Sequence, residues 1–373
     1  MLAVLGVAAH SLAAQAQPSL VDVGGHRLNV QVTGTSKPGV PTVVFEGGLG
    51  SPLAAWNGVH LTIADSVRTI AYERAGIGAS EPASGARPFK GMVAELHALL
   101  EKVGAAPPYV LVGHSLGGAL INLFAATFPR EVAGLVHIDP TDFTQTEADL
   151  TALWEILGVQ GLDSGRKLSA QMMTRAPAAV QAERREYDRV ERGGFAEFRA
   201  AGVAPDVPIV VLLGTKADPA PPGIALPANY DRFWRAASDQ RMDHFSRLAA
   251  RASRGTLVIT SKSGHFIHVS EPELAVWAIR RVISAATPHP ELERFVGQYQ
   301  LAPSLTIAIT REDDKLLLQA TGQNAFAMAQ ETPTTFSVKM VGAVIEFEID
   351  ATGNVTGLVL VQNGARQRAP KAR

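Results

Sequence analysis

Gly113-His114-Ser115-Leu116-Gly117 sets a serine between glycines at a spacing that suits a sharp turn. The apolar run Tyr109-Val110-Leu111-Val112 precedes it, and Leu116 to Phe128, closed by Pro129, follows. The segment therefore reads as strand, turn, helix. Only small residues fit beside a serine in so tight a turn, which lifts the hydroxyl to the carboxyl edge of the sheet. The first amides of the following helix point to the same place and favour developing negative charge. A serine hydroxyl is a weak nucleophile at neutral pH, so a base must reach it and a third group must orient that base. His265, in Ser263-Gly264-His265-Phe266, fits the base, because it follows the last predicted strand and precedes a helix starting near Pro272. His268 is its nearest rival, while His97 and His137 read as packed or solvated side chains and His114 as a neighbour that packs beside the serine.

The elements that must carry these residues alternate from Leu20 to about Ala286. Apolar strands are expected at 41–45, 67–72, 109–112, 132–138, 208–213 and 256–260. Met92, Leu96, Leu99, Leu100 and Val103 have helical spacing, with Gly104 as the stop. Continuous apolar strands separated by helices predict a parallel sheet covered on both faces. The stretch 141–206 breaks the rhythm: it is helix-rich, has no strand signal and carries a charged run from Glu183 to Arg192. An insertion there has the place of a cap over a site at the sheet edge; a solvated helical bundle without a binding role is the plainer reading. Trp56, Trp154, Met172, Met173, Phe195 and Phe198 are candidates to line an acyl pocket, or simply the insertion's own core.

Composition bounds the alternatives. A chain of 373 residues, 46% hydrophobic and 18% charged, is globular and long enough for two domains. A formal net charge of −1 offers no field for nucleic acid or an anionic membrane. The absence of cysteine excludes disulfides, thiolate zinc sites and cysteine nucleophiles. No Gly-x-x-x-x-Gly-Lys or His-Glu-x-x-His motif is present, so neither cofactor nor metal is expected. Residues 1–16 read as a signal peptide: Leu2 to Ala9 are apolar or small, and Ala14-Gln15-Ala16 has the form of a cleavage site. An exported protein, periplasmic or secreted and without stable membrane insertion after cleavage, is the expectation.

Several ordered motifs make residues 23–286 resemble the α/β-hydrolase family. Glu46-Gly47-Gly48-Leu49-Gly50 stands where the family keeps its oxyanion loop, with Glu46 in place of the usual histidine. Tyr72-Glu73-Arg74-Ala75-Gly76-Ile77-Gly78-Ala79-Ser80 looks like the family's acidic-Arg-x-x-Gly-x-Ser segment, and the Ser115 turn and Gly264-His265 follow in order. The resemblance implies an oxyanion hole from the amides of Leu116 and of Gly48 or Leu49. It implies an acid after a late strand, for which Asp218, reached from strand 208–213 through Gly214-Thr215-Lys216-Ala217, is preferred. Asp139, in His137-Ile138-Asp139-Pro140, is the alternative, since some members place their acid there; a turn residue before Pro140 is its plain reading. A serine at the turn argues against the dehalogenases and epoxide hydrolases of the family, which carry aspartate.

Beyond Thr287-Pro288-His289-Pro290 the pattern changes to β segments with turn signals, over residues 291–366. Leu292 to Tyr299, Leu305 to Thr310 and Gly357 to Gly364 resemble a small β domain appended to exported beta-lactamase-like serine hydrolases. A cell-envelope ligand is one expectation for it and a stabilising appendage the other. The basic tail 365–373 reads as loose. The expected whole is an α/β-hydrolase sheet (20–286) with a helical cap (about 141–206) and a small antiparallel β domain. Its expected activity is hydrolysis of a small acyl substrate, an ester first and a lactone or amide otherwise, through an acyl-enzyme. An acyltransferase using the same serine and a non-catalytic binding protein on this scaffold are the alternatives.

Overall fold

The computed structural model describes residues 17–217, 226, 228–312 and 314–372, with residues 159–172 described by backbone alone. The leader read at 1–16 and the carboxylate candidate Asp218 lie outside the described residues. The chain divides into two compact units, Met1–Ile283 and Ser284–Arg373.

The first unit is built on an eight-stranded sheet in the order β1-β2-β4-β3-β5-β6-β7-β8. Its strands are β1 (Ser19–Asp22), β2 (Arg27–Thr33), β3 (Thr42–Glu46), β4 (Thr69–Tyr72), β5 (Tyr109–His114), β6 (Val132–Ile138), β7 (Ile209–Gly214) and β8 (Gly255–Thr260). From β4 to β8 every pairing is parallel, whereas β1 and β2 add an antiparallel edge. Every residue of β3, β5 and β7 is buried, as strands covered on both faces require. The β1–β2 hairpin is not marked by an apolar run, because its outer strand is mostly exposed.

Helices α1 (Asn57–Ala64), α2 (Phe89–Lys102) and α3 (Leu116–Thr127) supply the first crossovers. Helix α2 buries Met92, Leu96, Leu99 and Leu100 on one stripe and ends just before Gly104, whose φ is +62°. Helix α3 is buried from Leu116 to Ala125. Between β6 and β7 lie α4 (Glu147–Thr174), α5 (Ala178–Arg192) and α6 (Ala196–Ala200). Thr146 caps α4 by accepting the Asp149 amide at 3.2 Å while the Asp149 carboxylate takes the Thr146 amide at 2.8 Å. Helix α4 breaks at Gly158, where φ is +68°. Helix α7 (Tyr230–Arg251) leads into β8, and α8 (Ile267–Ser270) and α9 (Pro272–Ala286) follow it. Among the described residues, no helix is long and apolar enough to cross a membrane.

The second unit opens with α10 (Pro290–Glu293) and contains two antiparallel sheets. One orders β9 (Gly297–Ala302), β10 (Leu305–Glu312), β11 (Lys315–Ala320) and β12 (Phe326–Ala327) as β12-β11-β10-β9. The other runs β13 (Ala329–Gln330), β14 (Thr335–Val338), β15 (Ala343–Ile349), β16 (Val355–Gln362) and β17 (Ala365–Pro370) in chain order. Phe295, Tyr299, Phe336, Phe347 and Leu358 form its core. The expectation of a loose basic tail is corrected here: residues Ala365–Pro370 pair with β16 along their whole length. Two opposite-charge pairs reach across β16, Arg366 of β17 with Glu346 of β15 and Arg368 of β17 with Glu348 of β15, and Ala369 of β17 is fully buried.

Candidate active site

The parallel register brings the ends of β3, β5, β6 and β7 side by side. Glu46 lies opposite Gly113, His114 opposite Ile138, and Ile138 opposite Leu212. Ser115, Asp139 and the Gly214 loop therefore leave neighbouring strands at one carboxyl edge, where open parallel sheets form sites.

Ser115 sits between β5 and α3 with φ +53° and ψ −120°. A non-glycine residue there stores of the order of 1–3 kcal/mol of strain, so its surroundings must hold it. Its amide donates to the Ile138 carbonyl at 3.2 Å, and its carbonyl accepts the amides of Gly118 and Thr141, each at 2.9 Å. The glycines of the motif have steric reasons. A Cβ on Gly113 would lie 2.4 Å from the Gly117 carbonyl oxygen, one on Gly117 2.1 Å from that of Glu46, and one on Gly118 2.5 Å from Pro140 Cβ.

His265 Nδ1 donates to Asp139 Oδ2 at 2.6 Å. Asp139 ends β6 with φ +39°, a region aspartate tolerates better than most residues, and the bend before Pro140 directs its carboxylate along the sheet edge. The Gly214 amide donates to Asp139 Oδ1 at 2.9 Å, and Arg241 of α7 is paired with the same oxygen at 3.0 Å. Burial opposes the charge on Asp139, but the His265 bond, Arg241 and the Gly214 amide outweigh it and hold the carboxyl below its ordinary range. The loop bearing His265 rests directly on β7: a Cβ on Gly214 would lie 2.2 Å from the Gly264 carbonyl oxygen. Of the two carboxylate candidates, only Asp139, the alternative, falls among the described residues, and it holds His265 Nδ1; Asp218 lies outside them.

His114 packs beside the serine turn rather than on it. Its Nε2–H donates to the His265 carbonyl at 2.9 Å, and its ring lies 4.7 Å from that of His265 and 4.3 Å from that of His268. His268, the rival base, is buried against Trp56 with ring centroids 4.7 Å apart. Burial pushes the His114 imidazole well below the ordinary range, aided by the two neighbouring imidazoles, and pushes His268 down to about 4. Both rings are therefore neutral at pH 7.

The glycine loop after β3 approaches the serine from the other side. A Cβ on Gly48 would lie 3.3 Å from Ser115 Cβ and 3.0 Å from His114 Nδ1. A side chain there would have to push His114 or Ser115 aside, which glycine avoids. Leu49 follows, half-buried. Leu116 begins α3, so its amide belongs to the first turn of the helix, where donors have no intrahelical acceptor. Glu46, which stands where the family keeps histidine, is buried and receives hydrogen bonds from Tyr72 Oη and Arg74, both at 2.5 Å.

The aromatic candidates for an acyl pocket divide. Phe195 and Phe198 are buried with Phe143 and Phe89 in the core that joins the insertion to the sheet. Trp56 is buried under His268; Trp154 and Met173 are half-buried; Met172 is among the residues whose side chains are not described. Sequence reasoning missed Arg241, which no motif marks and which only the packing of α7 brings to Asp139. It also read Glu183 as part of a charged run, whereas Glu183 is buried. Among the described residues, no cluster of three or more histidine, aspartate or glutamate side chains is arranged to hold a metal.

Residues 43–279 match the model of the alpha/beta hydrolase family, and residues 283–369 match a domain of unknown function, DUF3471. A probable transporter of Hormonema carpetanum is 35% identical over 131 residues, which are 34% of this chain and 19% of that protein. An AB hydrolase superfamily protein of Gibberella zeae is 22% identical over 301 residues, 69% of this chain and 90% of the relative. The solved structure of a probable hydrolytic enzyme from Pseudomonas aeruginosa PAO1 is 22% identical, covers 71% of this chain and 93% of its own, and has a TM-score of 0.48. The chain spans less than half the length of the first curated relatives it matches.

Proposed function

The chain belongs to the alpha/beta hydrolase family, and from that premise we propose that it is a serine hydrolase whose triad is Ser115, His265 and Asp139. The observation that carries this reading is the 2.6 Å bond from His265 to a buried, ionised Asp139 at the sheet edge from which Ser115 also leaves. Ser115 Oγ attacks the carbonyl carbon of an ester, and His265 Nε2 takes the hydroxyl proton. Asp139 holds the Nδ1–H tautomer and stabilises the imidazolium that forms. The negative charge on the former carbonyl oxygen falls to the amides of Leu116 and of Gly48 or Leu49; each such donor is worth about 3 kcal/mol in the transition state. His265 returns the proton to the leaving alcohol, and water, activated by the same imidazole, cleaves the acyl-enzyme.

An ester is the substrate class we put first, because an alkoxide leaves more readily than an amine anion and asks less of the protonating imidazole. A fluorophosphonate tests the reading: purified protein should gain one phosphonyl mass, and Ser115→Ala should gain none while keeping its fold. A folded wild-type protein that takes no label would overturn it. Export through the segment 1–16 is part of the same proposal, tested by the N-terminus of the mature protein.

A further inference from the structure

Arg74, on the loop after β4, is fully enclosed and bonds to three parts of the site's frame. Its Nη1 donates to the Gly47 carbonyl at 2.7 Å and to Glu46 Oε1 at 2.5 Å; its Nη2 donates to the Gly48 carbonyl at 2.6 Å. Glu183 of α5 grips the other side of the guanidinium, at 2.7 Å from Nε and 2.9 Å from Nη2. The same carboxylate accepts the Gly50 amide at 2.9 Å. Helix α5 also rests on the loops themselves: a Cβ on Gly50 would lie 2.9 Å from Val180 Cγ1, and one on Gly76 2.5 Å from Ala179 Cβ.

The direction of these bonds matters. In a trans peptide the C=O and the following N–H point to opposite sides of the chain. Holding the Gly47 carbonyl on Arg74 aims the Gly48 N–H away from Arg74, and holding the Gly48 carbonyl does the same for the Leu49 N–H. The two peptides that Arg74 grips are thus the two that carry the candidate oxyanion donors, and Gly48 packs against Ser115. A planar, forked guanidinium can hold both carbonyls and a carboxylate at once, which an ammonium cannot. Burial works against the charge of Glu183, but Arg74 overrides it and holds the carboxyl below its ordinary range.

We infer that Arg74 and Glu183 are positioning residues that set the direction of the oxyanion donors, with Glu183 making the helical insertion part of the catalytic frame. The buried Glu46–Arg74–Glu183 group does not touch the substrate; it acts through the Gly47–Gly50 backbone. The inference rests on the reading of Ser115 as an acyl-accepting nucleophile.

The test uses the full chain with Glu183→Gln and Arg74→Lys. Three quantities are measured on folded protein: kcat and KM for a short aryl ester, the inhibition constant of a trifluoromethyl ketone, and the rate of fluorophosphonate labelling. Misdirected donors should lower kcat by about 10- to 100-fold. KM should stay within about twofold, and affinity for the ketone, whose adduct carries the oxyanion, should fall by the same factor as kcat. Should Arg74→Lys fail to fold, Glu183→Gln, which preserves shape, carries the test alone. A folded variant with wild-type kcat and ketone affinity would overturn the inference and leave the Ser115 reading standing. Equal loss of ester and ketone binding with unchanged kcat would also overturn it, since that is loss of a pocket and not of donors. A wild-type protein that takes no label would remove the Ser115 reading itself.

Discussion

Asp139 Oδ2 accepts the His265 Nδ1–H at 2.6 Å, while its Oδ1 takes the Gly214 amide at 2.9 Å and lies 3.0 Å from Arg241. Both oxygens are thus engaged, one by the imidazole and the other by donors that fix the plane of the carboxylate. A carboxylate so held cannot rotate away from His265 without leaving a buried charge unpaired.

Asp139→Asn should lower kcat by about 10³- to 10⁴-fold with little change in KM, because an amide in that place selects the wrong imidazole tautomer. Asp218→Asn should leave kcat within about threefold. Steady-state kinetics on both variants check this, and a crippled Asp218→Asn beside an active Asp139→Asn would move the acid elsewhere.

Glycines of the first unit should respond to alanine in opposite ways. Gly117→Ala and Gly214→Ala would drive a methyl to 2.1 Å and 2.2 Å from backbone carbonyls; each should destabilise by roughly 3 kcal/mol or more, the upper end of overpacking, or abolish soluble protein. Gly91, exposed in α2, meets only Pro88 at 3.5 Å. Its replacement by alanine should stabilise by a few tenths to about 1 kcal/mol. Urea unfolding of the three variants decides, and a tolerated Gly117→Ala with wild-type stability would contradict the packing at the serine turn.

Acid should weaken the fold in a defined window. Burial holds His60, His137 and His268 at about 4, below the roughly 6.5 of an unfolded histidine. Between these values the unfolded chain binds more protons than the folded one, so stability falls as pH drops from about 6.5 toward 4 and gains nothing further above 6.5. His244 shifts the other way: its bond to Asp142 at 2.8 Å raises it, so its contribution is complete below the unfolded value and is lost only as pH rises through the folded one. Chemical unfolding from pH 4.5 to 7.5 should show uptake of more than one proton near pH 5. A flat profile there would mean that the three rings are charged or solvated.

Removal of residues 363–373 should disrupt the second unit, because it takes away β17 and uncovers Leu358, which is fully buried. Charge removal alone should do little. Arg366→Gln with Arg368→Gln breaks two exposed pairs, which water and salt screen heavily. Limited proteolysis of both variants separates the effects: rapid cleavage within 291–362 is expected for the truncation and not for the double variant. Equal protection of both would mean that β17 is an ornament on a sheet that stands without it.

The strand and helix plan of the first unit was legible where burial is complete. In β3, β5 and β7 both faces are covered, so the chemistry of the run announces the strand regardless of register. The β1–β2 hairpin and β17 were not legible, since half-exposed strands at a sheet's margin carry charges and polar residues whose partners lie on other strands; Arg366 and Arg368 look like a solvated tail until Glu346 and Glu348, two strands away on β15, pair with them. The charged run from Glu183 misled for the same reason, because an ion pair with Arg74 reverses the ordinary penalty for burying a carboxylate.

Local order along the chain determined the Gly113–Gly117 turn, the place of Ser115 between strand and helix, and the presence of a histidine after the last strand. These depend on sterics and hydrophobic runs within a few residues. Which carboxylate meets His265, which cation sits on that carboxylate, and what holds the glycine loop were decided only when β6, β7, α5 and α7 packed together. Asp139 with His265, Arg241 with Asp139, and Glu183 with Arg74 join positions more than a hundred residues apart. No periodicity within a segment encodes such pairs; they form because a buried charge must find its partner in three dimensions.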